Sequence, residues 1–518
     1  MNFKDDNLNE KRERCFIWIQ WLIAGAVFSL IFDNIPKFLQ LNFISGSFAS
    51  KFTWYFLFIL SIVWGYQICK GIFTIEKKDY QYMKYIMLLL IIILFSNIWG
   101  LICYPYYSDL FSGPNSQIEK LPFIFNLLNS NGISLNIENL TMLWIGGRAI
   151  KSSLLGILYT FGFSFVLYQF FKRDWGYYFE LITKVVIVSV TFLCLYSVIE
   201  LFYFANFDFA KNLLSIINPM IHPIAIDHGW WPPLLWDGQL RSMFSEPSRM
   251  GNYLAFALPF LWGKFLLIDK NIGLSILLLF YTFMIFLTQA RTAITMYFGV
   301  LFLLFLGIMF IHKRVLIKKF LILCAITVFS LGISIAFINM TGQEVTVTSY
   351  MENNVSSLTD NAKRSNGARY ALIRANVQTG LNHPILGVGD ILGATYTVYN
   401  FSETDLANDE VHMWVTDYHK EGPLRNNLDA MNEYVTRFAN NGILGLIIFI
   451  LPLAYVLRKL FFSFRSVKEN QKIKVMTVLV SLVGSAVAGC NGSLTLLYTY
   501  WVILAFSYAI INGICKEK

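Results

Sequence analysis

The chain has 518 residues and a mass of 59.7 kDa; it is 56% hydrophobic and 17% aromatic but only 14% charged. Soluble globular domains carry about 25% charged residues, so this balance, with a mean hydropathy of +0.54, excludes a water-soluble enzyme and equally a disordered chain. The 7 cysteines include no C-x-x-C pair and exclude a disulfide scaffold, and the net charge of +9 is distributed as in a membrane protein rather than a nucleic-acid partner.

A helix that crosses the hydrocarbon needs about 20 mostly apolar residues. Twelve such runs occur, near 16–32, 52–73, 85–105, 152–171, 179–205, 250–268, 272–289, 291–311, 320–339, 441–458, 475–490 and 496–513. The first follows a charged stretch with acidic residues and no small-residue cleavage site, so it reads as a span and not a removable signal. The fold expected is an all-α polytopic membrane protein of about 12 transmembrane helices, a single membrane domain over 1–518.

Alternate connections differ in Lys and Arg. With a cytoplasmic N-terminus the inner segments hold 25 of them and the outer segments 16, although the outer loops are longer. The positive-inside rule then puts both termini in the cytoplasm. Three long outer connections follow, 106–151, 206–249 and 340–440, the last between spans 9 and 10. The 340–440 loop begins polar and becomes helix-like at ARYALIRANVQTGL. It breaks at Asn382-His383-Pro384 and returns as a helix-like stretch, NLDAMNEYVTRFANNG. Loops of that length with their own helical pattern are usually functional.

The span centres are nearly free of ionisable groups: Lys70, Glu180, Lys184, Glu200, Lys264 and Arg291 fall near span ends. Coupled transporters place such groups at depth, which weighs against one here. Outside, nine of the 16 basic residues are arginine (Arg148, Arg241, Arg249, Arg291, Arg364, Arg369, Arg374, Arg425 and Arg437), whereas six of 25 are inside. Guanidinium presents a planar fork that matches phosphate oxygens in pairs. Several arginines at the bilayer boundary suit a lipid diphosphate; each taken singly also suits a local carboxylate or snorkelling to the interface.

Four elements concentrate the chemistry. Arg241-Ser-Met-Phe-Ser-Glu-Pro-Ser-Arg249 enters the sixth span, where Ser245 or Ser248 is a candidate cap, the helix start favours an anion, and Glu246 either acts on substrate or pairs with an arginine. Thr288-Gln-Ala-Arg291-Thr-Ala leaves almost no loop between two spans and fixes Arg291 at the outer boundary. In the stretch Arg369 to Gly389, Arg369 and Asn376 share a helix face, and His383-Pro384 with Gly387 and Gly389 reads as a helix stop, so His383 is structural by default. In Asn426 to Gly445, Glu433 and Arg437 are four apart and suit a surface pair.

In order and spacing these elements resemble the O-antigen polymerase and ligase superfamily of lipid-linked polysaccharide enzymes. They are Arg…Glu-Pro-Ser…Leu-Ala, Ala-Arg-Thr-Ala, Arg…His-Pro-x-x-Gly-x-Gly and Asn…Gly-Ile-Leu-Gly, covering about 235–450. The resemblance implies a GT-C-like glycosyltransferase of a bacterial inner membrane with no cofactor and no metal. It would polymerise undecaprenyl-diphosphate-linked oligosaccharides into O-antigen or capsule on the extracytoplasmic face. It implies Arg241, Arg291 and Arg369 as diphosphate holders, to which Arg249 is added by position; Asn432 falls at the polar position before the tenth span, beside Tyr434. Implied partners are the lipid-linked glycans and membrane lipids, with room for a chain-length regulator; no nucleic acid is implied.

Many relatives, the ligases above all, carry His-Asn where this chain has Met431-Asn432. Methionine cannot accept a proton, so the base falls to Glu433, Asp429, His419, Asp417, His412 or Glu246, and a polymerase is favoured over a ligase. Trp230, Trp231, Trp236, Tyr396, Trp414 and Tyr418 are candidates to stack on sugars, with interfacial anchoring as the alternative. A flippase for lipid-linked glycan is the alternative class.

Overall fold

The computed structural model describes residues 17–107, 110, 121–222, 238–268, 271–354, 364–424, 428–464 and 467–516. Among them every regular element is helical. The long apolar helices in chain order are α1 (Ile17–Ile31), α2 (Phe52–Cys69), α3 (Asp79–Ile102), α4 (Ile137–Phe171) and α5 (Trp175–Phe204). Then come α6 (Pro247–Leu267), α7 (Ile272–Leu287), α8 (Arg291–Ile311) and α9 (Arg314–Met340). The segment between spans contributes α10 (Arg364–Asn382) and α11 (Asp409–Glu421), and the chain closes with α12 (Glu433–Phe464), α13 (Glu469–Ala488) and α14 (Tyr498–Lys516).

Each of the twelve apolar runs lies on one of these helices. Eight helices in the described residues are long and apolar enough to cross a membrane, and α1, α7 and α14 are shorter apolar helices. The run at 250–268 is α6, 21 residues long but not among those eight. The fourth span begins much earlier than expected, at Ile137, and passes through a π-helical turn at Leu158–Gly162. Local chemistry sets several starts. Asn136, Asp174 and Asn271 cap α4, α5 and α7 by accepting from Glu138, Tyr177 and Leu274 backbone N–H groups at 3.2, 2.9 and 2.9 Å.

α6 is largely enclosed, packed between α8, α13 and α5. Between apolar helices in lipid, association depends on close packing rather than on escape from water, so small residues at the contacts matter. A Cβ on Gly251 would meet the Ala293 backbone at 2.8 Å, and one on Gly484 would stand 3.1 Å from the Ala255 carbonyl. At the end of the bundle away from the long loops, Asp79 is buried and accepts from Lys172 Nζ and the Tyr168 hydroxyl, both at 2.6 Å, tying α3 to α4.

The other end carries a helical cap built from the 341–432 connection. The helix expected over ARYALIRANVQTGL is α10, and it stops at Asn382 as Pro384 requires. NLDAMNEYVTRFANNG is helical only from Glu433, because residues 428–432 form the extended approach to α12. α11 was not anticipated. Its apolar residues Val411, Trp414, Val415 and Tyr418 do recur at helical spacing behind the Asn408 cap, but acidic residues and histidines dilute the pattern. The cap has its own small core of Ala368, Ala371, Leu372, Val411, Tyr418 and Leu428.

The cap is stitched to the bundle by backbone. Val388 and Gly389 N–H groups donate to the Ala439 and Asn440 carbonyls at 3.1 and 2.8 Å, and Ile443 N–H donates to the Pro384 carbonyl at 2.8 Å. This is possible because α12 is broken at Gly442, where φ is 64° and ψ is −170°. Gly387 and Gly389 also adopt positive φ, so both glycines of the His-Pro-x-x-Gly-x-Gly stretch serve this docking.

Candidate functional site

A cavity of about 760 Å³ opens where the cap meets the bundle. It is lined from the C-terminal end of α1, the start of α2, the start of α6, the approach to α12 and the turn before α14, with α10 and α11 contributing from the cap. Apolar residues Leu30, Phe32, Phe244 and Leu497 share the lining with charged groups.

The cationic part is organised around Asp33. Its carboxylate accepts from Lys51 Nζ at 3.0 Å and from Arg249 Nη1 at 3.1 Å, from the Ser245 N–H at 3.3 Å, and from the Ser245 hydroxyl. Burial alone would push this carboxyl's pKa up. The Arg249 and Lys51 charges and the Ser245 hydroxyl outweigh that and hold it well below the usual carboxylate range. Burial pushes the Lys51 ammonium the opposite way, below its ordinary value, with the Asp33 charge opposing. Neither Asp33 nor Lys51 was singled out in the sequence. They flank the first loop, and nothing local in that loop marks it as facing Arg249.

The α6 entry differs from expectation in two respects. Neither serine caps the helix: Glu246 is the N-cap residue without a side-chain cap bond, Pro247 takes the first position, and Ser245 is spent on Asp33. The carboxylate bonded to Arg249 is Asp33, whereas Glu246 lines the cavity and accepts from the Ser248 hydroxyl at 3.1 Å.

Arg369 also lines the cavity, with Nη1 donating to Asn491 Oδ1 at 2.7 Å. Asn491 closes a 3-10 turn after α13. Arg291 does not line the cavity; its Nη1 donates to Asn366 Oδ1 at 2.6 Å, one turn before Arg369 on α10, and so fastens the cap to the bundle. Arg241 is 1% exposed and sits beside Glu200, which accepts from the Ser242 N–H at 2.8 Å. Two of the four arginines thus reach the cavity, and the other two lie within the walls.

The base candidates separate in the same way. Glu433 borders the cavity, but Oε1 accepts from Arg437 Nε at 2.7 Å, and Oε2 accepts from the Ser493 hydroxyl and the Leu494 N–H at 2.9 and 2.8 Å. Its lone pairs are occupied in fixing the α12–α14 junction. Asp429 and Asp417 line the cavity, half-buried, while His419 is exposed with its ring edge-on to Tyr418. Asn432 caps α12 by accepting from Tyr434 and Val435 N–H groups at 3.1 and 3.3 Å, and Met431 lies exposed in the cavity wall with φ 50°. The Tyr434 hydroxyl donates to the Ala486 carbonyl at 2.7 Å. His383 packs edge-on against Tyr396 away from the cavity, and burial lowers its pKa. Trp230, Trp231, Trp236 and Arg425 lie outside the described residues.

The sequence profile of the O-antigen ligase family matches residues 275–450, from within α7 to within α12. The chain carries a domain of the O-antigen ligase family. No curated protein matches it. The family is one of membrane enzymes that act on lipid-linked polysaccharide. The matched span includes Arg291, Arg369, α11 and Glu433; Asp33, Lys51, Glu246 and Arg249 reach the same cavity from outside it.

Proposed function

We propose that the protein is a glycosyltransferase that polymerises undecaprenyl-diphosphate-linked repeat units on the outer face of a bacterial inner membrane, with both termini cytoplasmic. The observation that carries this is the cavity itself. Bordered in part by the family-matched stretch, which supplies Arg369, it gathers that arginine with Lys51, Arg249 and the carboxylate of Glu246 from upstream of the match.

In this reading Lys51, Arg249 and Arg369 hold the donor's diphosphate, and Arg291 and Arg241 brace the walls. A hydroxyl of the acceptor repeat unit attacks the anomeric carbon of the donor sugar. The bond from that carbon to the diphosphate oxygen breaks, and undecaprenyl diphosphate leaves with the bonding pair. The three cations face the charge that grows on it, which is how preorganised donors lower such a barrier without proton transfer. The hydroxyl proton passes to Glu246, placed one turn from Arg249 and not locked into an ion pair. Direct displacement inverts the anomeric centre. No metal is needed in this scheme, because side-chain cations neutralise the leaving group.

A ligase reading draws on the family's description, but Met431 in the cavity wall has no proton-accepting atom where ligases carry histidine. The test is chemical. Purified protein in detergent is given the host's own undecaprenyl-diphosphate-linked repeat unit without nucleotide sugar. A ladder spaced by one repeat, with release of undecaprenyl diphosphate, supports the polymerase. Absence of a ladder together with passage of the lipid across proteoliposomes replaces it with a flippase.

A further inference from the structure

We propose that the helix Asp208–Ile221 is a lipid-binding element whose partner is the acyl-chain region of the leaflet at the cap end, just beneath its headgroups. The helix follows α5 within the 206–249 connection. At 3.6 residues per turn its side chains divide into three faces. Ala210, Leu214 and Asn218 are buried on the face packed against α5. Asp208, Lys211, Asn212 and Ser215 form an exposed polar face. Phe209, Leu213, Ile216 and Met220, spaced four, three and four apart, form an exposed apolar stripe. A helix packed on a protein in water needs only the first two faces. A third that is apolar and turned outward suits a helix lying at a membrane boundary.

Depth along α5 names the occupant. Towards the end of α5 away from the cap, Glu180 accepts from Lys264 and Lys474 Nζ at 2.9 and 2.8 Å, a charged cluster that belongs at the opposite bilayer surface. At about 1.5 Å per residue, Tyr196 stands about 24 Å and Phe202 about 33 Å beyond Glu180, and the hydrocarbon is about 30 Å thick. The Phe209 ring meets the Phe202 ring at 5.4 Å, and the Tyr196 hydroxyl donates to Asn218 Oδ1. The chain therefore turns back at Asn206, where φ is 62°, and the helix descends along α5. It runs from the edge of the hydrocarbon at Phe209 to about 6 Å inside it at Asn218. At that level the outward stripe faces acyl chains.

This seat bears on the cavity, a step that rests on the glycosyl-transfer reading. The segment leading into α6 is fixed on the same stretch of α5: the Ser242 N–H donates to Glu200 Oε2 at 2.8 Å, and the Ser242 hydroxyl donates to the Leu193 carbonyl at 3.2 Å. Arg249 follows in the first turn of α6, and Asp33 ties Lys51 to it. A helix held at the lipid boundary thus sets the level at which these cations meet a lipid-borne diphosphate.

The experiment reads depth first. Leu213, Ile216 and, as the polar-face control, Asn212 are each replaced by a genetically encoded dansyl amino acid in the full chain. The protein is placed in phosphatidylglycerol/phosphatidylethanolamine nanodiscs whose acyl chains carry bromine either near the headgroup or near the bilayer centre. Emission from 213 and 216 is expected to be quenched at least about twofold more than emission from 212, and more by shallow than by deep bromine, as burial by about 5–10 Å requires. Equal quenching at all three positions overturns the proposal, as does quenching chiefly by deep bromine. A disulfide-linked dimer specific to Ile216→Cys, with no quenching by brominated lipid, would put a second copy of the chain on the stripe instead. Ile216→Ser/Met220→Ser leaves the other two faces intact. It is expected to raise KM for the lipid-linked repeat unit in nanodiscs about tenfold with kcat within about twofold, the scale of one apolar side chain taken out of lipid. An unchanged KM overturns the level-setting role. Shallow quenching without a polymer ladder would keep the interface helix and remove the polymerase; a ladder with equal quenching would do the reverse.

Discussion

Asp33 and Arg249 are 216 residues apart in sequence, and their side chains meet at 3.1 Å. The contact joins the end of the first helix to the start of α6, and Lys51 completes it from the other side of Asp33 at 3.0 Å. Removing the carboxylate leaves two cations facing each other in a largely buried place. Breaking a fully buried pair costs about 3–5 kcal/mol, and with the Arg249 side chain 40% exposed the cost here falls below that range. Asp33→Ala is therefore expected to lower the melting temperature in detergent, and Asp33→Ala/Lys51→Met to recover part of it. No change in Asp33→Ala would show the pair to be incidental.

The pH dependence has a definite sign. The folded-state pKa of Asp33 is depressed by Arg249 and Lys51 despite burial, so the native state binds this proton less readily than the unfolded chain. Its stabilising contribution is complete above the unfolded carboxyl value of about 3.9 and declines as the pH falls below it. Thermal melts of the wild type and of Asp33→Asn should differ most near neutrality and converge in acid; a constant difference down to strongly acidic pH contradicts the assignment.

Arginine geometry predicts two classes of variant. Arg249→Lys and Arg369→Lys keep charge at the cavity but lose the planar fork, and each is expected to lower kcat by about 10- to 100-fold, less than the roughly 10²–10³ for loss of a whole preorganised donor because the charge remains. Arg291→Lys loses its bond to Asn366 in the wall, so its effect is expected in the melting temperature with kcat nearly preserved. Polymer yield per folded molecule separates the classes. Equal kcat losses at all three positions would merge them.

Two carboxylates near the acceptor are expected to part company. Glu246→Gln retains shape and removes the proton acceptor, so kcat should fall by about 10²–10⁴-fold with stability nearly unchanged. Glu433→Gln strands Arg437 beside it and should act chiefly on stability. The reverse pattern would make Glu433 the base.

Gly442 breaks α12 with φ 64°, and a Cβ there would lie 2.2 Å from the Ile385 carbonyl oxygen. Backbone at this φ and ψ is open essentially to glycine and costs another residue about 1–3 kcal/mol, and the clash adds to it. Gly442→Ala is expected to loosen the cap, read as faster amide exchange at Val388 and Gly389. Unchanged exchange there would show that the break tolerates a side chain.

The apolar runs made the helices legible because a helix in lipid must satisfy every backbone group by itself, although their ends were not, since α4 starts at Ile137, well before its run. Glu433 and Arg437 pair as their four-residue spacing implies, and Pro384 ends α10 where it should. The site was harder to read. Arg241 and Arg249 stand in one motif, yet Arg241 is enclosed by protein while Arg249 reaches the cavity. That difference is set by which loops converge on the α6 entry, a long-range property with no local signature. Asp33 and Lys51 escaped for the same reason. Glu410, Trp414 and Asp417 lie on a helix whose periodic signal was present behind Asn408 but diluted by charge.

The cavity is composite in a way that bears on engineering. The family-matched stretch of 275–450 holds Arg369 and α11, while Asp33, Lys51, Glu246 and Arg249 lie upstream of it and Asn491 and Tyr498 downstream. Chimeras that graft the matched stretch alone from a relative would exchange Arg369 and α11 while Asp33, Lys51, Glu246 and Arg249 stay resident, so a single cavity would be lined from both parents. Such hybrids should therefore keep activity only where the grafted Arg369 region and the resident Asp33–Arg249 region still fit one another.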